Sequence, residues 1–103
     1  MIMLDIDMKT VDGVLYVALK GRLNNLTSRE FARRIEPELK NVRGIVLDMA
    51  ELDYISSAGL RILLMLQQYM EEAGNEGVSV RDANQLVLDT LEMTGFGDVI
   101  NIE

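Results

Sequence analysis

Two adjacent serines, Ser56 and Ser57, lie between Asp53-Tyr54-Ile55 and the run Ala58-Gly59-Leu60-Arg61. This pattern marks the end of a strand or loop and the opening of an amphipathic helix. Serine is a favoured N-cap, because its hydroxyl accepts a hydrogen bond from a free backbone N–H of the first helical turn. The same place, at the positive end of a helix, suits a phosphate. The chemistry open to this pair is therefore structural capping or acceptance of a phosphoryl group. The residues alone leave both open.

Most other chemistries lack their parts. The chain has no cysteine and no histidine, so disulfides, thiolate nucleophiles, Cys-type zinc sites and the commonest neutral-pH base are absent together. An enzyme could be assembled on paper from Asp48, Asp53 and Ser57, but no lysine or histidine accompanies them to share the proton transfers. Capping and loop hydrogen bonding explain these carboxylates more simply, and no catalytic activity is expected. A nucleotide site would need a glycine-rich loop following a strand. Gly95-Phe96-Gly97 follows a helical stretch instead and reads as a turn, so neither a cofactor nor a metal is expected.

The 103 residues suffice for one domain spanning 1–103, and 49% of them are apolar, enough for a core. A formal charge of −7 disfavours nucleic acid and anionic membrane surfaces. Arg29, Arg33, Arg34 and Lys40 cluster on one expected helix, but Glu30, Glu36 and Glu38 lie among them, which reads as a solvated mixed face. The N-terminus has no signal-peptide pattern, and the longest apolar run, Ile62 to Leu66, is too short to insert in a membrane. A cytoplasmic location is the expectation that remains.

The elements that would position the serines follow from periodicity. Ile2, Leu4, Ile6 and Met8 alternate with polar or outward residues, as in a strand with one buried face. Asp12-Gly13 signals a hairpin turn into a second strand, Val14–Leu19. Thr27 and Glu30 have capping-box spacing, and a helix over Ser28–Lys40 would bury Phe31, Ile35 and Leu39, with Pro37 kinking or shortening its last turn. Ile45-Val46-Leu47 suits a central strand buried on both faces. A second helix over Ser57–Ala73 stops at Gly74, and Val78–Val80 is a short strand. A third helix opens at Ala83-Asn84 with Leu86, Val87, Leu91 and Met93 inward. Val99, Ile100 and Ile102 form a weak last strand. The methionines read as core filling, Met65 excepted. The order β-β-α-β-α-β-α-β predicts an α/β fold with a mixed sheet of about five strands and three main helices, chiefly on one face or unequally over both ends.

At about 100° per residue, the second helix turns Gly59, Ile62, Leu63, Leu66, Met70 and Ala73 toward the core. Ser57, Leu60, Arg61, Leu64 and Gln68 then fall on the solvent side. Leucines beside an exposed hydroxyl suggest an interaction surface, whereas cover from a loop or the third helix is the plainer reading.

These residues resemble the STAS domain family, and in particular its small bacterial anti-sigma factor antagonists. The resemblance spans nearly the whole chain. It rests on Gly21-Arg22-Leu23, Ile45-Val46-Leu47-Asp48, Tyr54-Ile55-Ser56-Ser57-Ala58-Gly59-Leu60 and Val87 to Gly95, in that order. It implies a regulatory protein that binds an anti-sigma factor, itself a serine kinase, until phosphorylation weakens the complex. A serine phosphatase restores binding, and any ATP belongs to the kinase. The phosphoacceptor of the family maps to Ser57, with Ser56 as the alternative. Asn24, Ser56, Ser57, Leu60, Arg61 and Leu64 would form the partner-binding face of a protein that is monomeric when free. Two departures stand out: Ser56 and Asn24 replace aspartates found in many members. An alternative reading is a non-phosphorylated STAS subunit of another signalling or lipid-transport assembly.

Overall fold

The computed structural model describes residues 3–103. Its elements run β1 (Leu4–Val11), β2 (Val14–Leu23), α1 (Asn25–Ile35), a 3-10 segment (Glu36–Asn41), β3 (Gly44–Ile55), α2 (Ser57–Glu72), β4 (Val78–Arg81), α3 (Gln85–Met93), a 3-10 turn (Phe96–Asp98) and β5 (Asn101–Ile102). This is the expected order. The five strands lie in the sheet in their chain order, with β1 antiparallel to β2 and the remaining neighbours parallel. Right-handed crossovers that always step in one direction put every helix on the same side. The hairpin between β1 and β2 turns on Asp12 and Gly13, with φ of 52° and 81°, the two positive values that a tight hairpin turn of this twist requires.

One sheet face is therefore core and the other open. Leu15, Val17 and Leu19 of β2 and Ile45, Leu47 and Met49 of β3 are buried beneath the helices. Tyr16 and Val46, on the reverse face, are half-buried, and Ala18, Lys20 and Asp48 are exposed. The expectation that β3 is covered on both faces is thus corrected. It is also twelve residues long rather than three. Its length is hidden by two bulges: Ala18 pairs with Asp48 but Lys20 with Glu51, and Gly21 pairs with Leu52 but Arg22 with Tyr54. Each bulge adds one residue to β3 and shifts the alternation, so that burial passes from Met49 to Leu52 to Ile55.

The helix boundaries differ in instructive ways. α1 starts at Asn25 because Asn24 caps it: Asn24 Oδ1 accepts from the N–H groups of Leu26 and Thr27, each at 3.0 Å, and Thr27 Oγ1 accepts from Asn24 N–H at 2.9 Å. The capping box is Asn24–Thr27, one turn ahead of the predicted Thr27–Glu30. Pro37 lies in the first turn of the 3-10 segment, so α1 stops at Ile35 and Leu39 reaches the core from the 3-10 turn. In α3, Val87 and Leu91 point inward as expected, but Leu86 and Met93 are 60% and 86% exposed. Met49 and Met70 fill core, whereas Met3 and Met65 are exposed, and Met1 and Ile2 lie outside the described residues. β5 is reduced to Asn101–Ile102, with Val99 exposed and Ile100 buried ahead of it.

Candidate functional site

Parallel β–α units place helix N-termini at the carboxyl ends of the strands, and in this sheet three such starts converge there. Ser56 N–H donates to Leu23 O at 2.8 Å, beside the in-register pair Leu23–Ile55, so the caps of α1 and α2 sit side by side. Asn84 caps α3 by accepting from Val87 N–H at 2.9 Å, and its Nδ2 donates to Leu52 O of β3 at 2.8 Å. None of the three helices carries an acidic residue in its first turn. Their N-terminal partial charges therefore meet no carboxylate of their own.

The two serines divide the roles that the sequence left open. Ser56 is the N-cap of α2; its Oγ accepts from Gly59 N–H at 3.3 Å, and its side chain is half-buried. Ser57 is the first helical residue, is exposed and makes no side-chain hydrogen bond among the described residues. Its hydroxyl is therefore available without loss of the cap. A Ser56→Ala variant is expected to lose about 1 kcal/mol of stability in thermal denaturation, and Ser57→Ala to stay within about 0.5 kcal/mol of the parent. Equal losses at the two positions would contradict this division.

Gly59 lets α2 begin against the ends of β2 and β3. A Cβ there would lie 2.8 Å from Ile55 Cγ1 and 3.1 Å from Leu23 Cβ. This close seating turns Leu60 inward. It is only 9% exposed and belongs to the core, which corrects its placement on the solvent side. Gln67 is buried as well: its Oε1 accepts from Val78 N–H at 2.8 Å and ties α2 to β4. The buried arc of α2 is thus turned by about 40° from the predicted one, at 100° per residue. Ala73, expected inward, is exposed at the helix C-cap, and Ile62 is half-buried.

Of the predicted face, Asn24, Ser56, Ser57 and Arg61 come together at this end, Leu64 is half-buried, and Leu60 lies beneath it. Leu60→Glu should therefore destabilise the fold by about 3 kcal/mol or more, since it buries an unpaired charge, whereas Leu64→Glu should cost about 1 kcal/mol. Urea titration of both variants checks the order; a reversed order would return Leu60 to the surface.

Three apolar side chains at this end escaped the periodicity argument. Leu26 is 67% exposed at the start of α1, Leu86 stands at the same position of α3, and Tyr54 is exposed at the end of β3 beneath the Arg22 guanidinium, 4.7 Å from the ring centroid. The available signal was position: Leu26 and Leu86 each lie two residues after a capping asparagine, where a side chain projects past the helix end. Exposed apolar groups around a helix-start cluster form a surface suited to a protein partner.

A one-sided α/β sheet presenting three capped helix starts, an exposed hydroxyl and an apolar rim defines a small protein-docking domain. The chain belongs to the STAS domain family: residues 6–101 match the family model described as "Mlab, STAS domain". Over 90 residues it is 32% identical to a Bordetella bronchiseptica protein carrying the provisional name anti-sigma factor antagonist BtrV, covering 86% of this chain and 77% of that one. It is also 30% identical over 101 residues to the anti-sigma F factor antagonist of Paenibacillus polymyxa, covering 96% of this chain and 86% of the relative. The fold superposes on the anti-sigma factor antagonist SpoIIAA in its unphosphorylated form with a TM-score of 0.84 at 15% identity, over 96% of this chain and 88% of that one. Among the described residues no helix is long and apolar enough to cross a membrane.

Proposed function

We propose that this protein is an anti-sigma factor antagonist that works by partner switching, without a catalytic step of its own. In the unmodified state the carboxyl end of its sheet docks an anti-sigma factor of the serine-kinase type. The kinase transfers the γ-phosphoryl group of its ATP to Ser57 Oγ with loss of the hydroxyl proton, and the complex weakens. A serine phosphatase hydrolyses the phosphoester and restores docking. The contact surface comprises Asn24, Ser57, Arg61 and Leu64, with Leu26, Tyr54 and Leu86 around it. Ser56 and Leu60 support it from below.

The observation that carries this reading is the separation of cap from free hydroxyl. Ser56 holds the first turn of α2 while Ser57 stands exposed beside apolar side chains. A phosphate there adds about −1.5 to −2 charges at pH 7 at a helix N-terminus, where the fold tolerates it and a docked protein does not. Asn24 fits the same logic, because a neutral cap replaces a carboxylate next to the hydroxyl that is to be phosphorylated. The names of both relatives, each an anti-sigma factor antagonist, favour this role over that of a STAS subunit of another signalling or lipid-transport assembly.

The test is incubation with the candidate anti-sigma kinase and ATP, followed by mass mapping of the modified peptide. One phosphate on Ser57 is expected, absent in Ser57→Ala. Phosphate on Ser56 in that variant would overturn the residue assignment, and a chain that binds no anti-sigma kinase would overturn the function.

A further inference from the structure

Between the first turns of α1 and α2 lies a small cleft of about 230 Å³, lined by Asn25, Ser28 and Arg29 on one side and Ala58, Arg61 and Ile62 on the other. Ser28, one of its lining residues, is only 2% exposed, and its Oγ is the one buried side-chain oxygen without a hydrogen-bond partner among the described residues. A buried hydroxyl left unpaired is costly. At the rim stand two cations. Neither Arg29 nor Arg61 lies in an ion pair among the described residues, a state they share with most of the chain's cations. The chain carries a net charge of −7, yet both of these arginines line one cleft that no carboxylate lines.

Arg61 is four residues beyond Ser57, so the two side chains share a face of α2 one turn apart. Arg29 approaches from the neighbouring helix. The first-turn N–H groups of Ser57 and Ala58 donate to no capping oxygen, since Ser56 Oγ accepts from Gly59 N–H. A monoester oxygen on Ser57 therefore lies at a helix N-terminus with a guanidinium one turn along, and the cleft lined by that arginine is lined by a second.

We propose that the cleft is an intramolecular phosphate clamp: Arg61 and Arg29 hold the phosphate dianion of Ser57 against the start of α2, with the Ser28 hydroxyl as a further donor. This rests on Ser57 being the modified residue, as argued above. The clamp gives phosphorylation two effects on the docking face. It adds negative charge, and it withdraws Arg61, which in the unmodified protein is free to meet a carboxylate of the partner. Guanidinium groups suit this task because they present paired donors to phosphate oxygens.

The test needs no kinase. Phosphoserine is incorporated at position 57 during translation, and the ³¹P resonance of the intact domain is followed from pH 4 to 8. An unclamped phosphoserine titrates with a second pKa near 6. The clamp predicts a fall of about half a unit or more. It also predicts that Arg61→Gln returns most of that shift, Arg29→Gln part of it, and Ser28→Ala a smaller part. Both arginines are exposed, so these variants fold. Hydrolysis by a nonspecific phosphatase should be several-fold faster in Arg61→Gln than in the parent. A phosphate whose titration and hydrolysis are indifferent to Arg61 and Arg29 would overturn the clamp while leaving the partner-switching reading intact. A clamp that holds in a chain no anti-sigma kinase phosphorylates would have the opposite meaning.

Discussion

Phosphorylation of Ser57 is expected to weaken the complex with the anti-sigma kinase by about 100-fold or more, while the melting temperature of the free domain moves by no more than a few degrees. The magnitude follows from where the charge lands. Ser57 is exposed at the carboxyl end of the sheet, the end that also carries the exposed Leu26, Tyr54 and Leu86, and the proposed docking would cover it. Burying an uncompensated charge at an interface costs about 2–5 kcal/mol, and each 1.4 kcal/mol is tenfold in affinity. The fold is spared because the phosphate lies at the N-terminus of α2, where negative charge is favourable, and because the cap on Ser56 is a different atom. Isothermal titration of modified and unmodified protein against the same partner, alongside thermal melts, separates the two effects. Loss of binding accompanied by unfolding would point to a structural role for the Ser57 hydroxyl.

The second large effect is on stability. Gly21 has φ of +115°, and a Cβ at this position would lie 2.3 Å from the carbonyl oxygen of Met3, which also accepts the Arg22 N–H at 2.8 Å. Alanine meets backbone rather than a movable side chain, and its φ is strained as well. Gly21→Ala should therefore cost about 3 kcal/mol, the sum of an overpacking and a backbone term, and lower the melting temperature by about 15 °C. Because Gly21-Arg22-Leu23 delivers Asn24 to the site, the same variant should weaken partner binding whenever the edge strand shifts. A melting temperature within about 3 °C of the parent would show that β1 slides to relieve the contact at little cost.

Much of this architecture was legible in the residues. Element order and the hairpin turn follow from local signals, alternation and Asp12-Gly13, and Pro37 marked a kink or shortening in a helix drawn to Lys40 that stops at Ile35. What was hidden depends on tertiary placement. The bulges of β3 break its period of two, so only Ile45 to Leu47 looked like strand while the chain continues to Ile55. Leu60 looked outward because a helical wheel drawn from Gly59 ignores how closely that glycine seats against Ile55 and Leu23. Leu86 looked inward for the complementary reason, since a helix's first turn can overhang the sheet it packs on. At the site, Ser56, Ser57 and Arg61 were readable from cap chemistry and helical spacing, and Asn24 from the family resemblance. The apolar rim was not, because Leu26, Tyr54 and Leu86 come from three separate segments that only the parallel sheet brings to one end.

The central claim is that the partner docks at the carboxyl end of the sheet, over Ser57. Amide hydrogen exchange of this chain, free and bound to its anti-sigma kinase, tests that most directly. Slowed exchange concentrated in 24–29, 54–61 and 84–88, and absent when Ser57 carries phosphate, is the predicted result. Protection confined to the open sheet face, around Tyr16, Val46 and Arg81, with the helix starts unchanged, would contradict it.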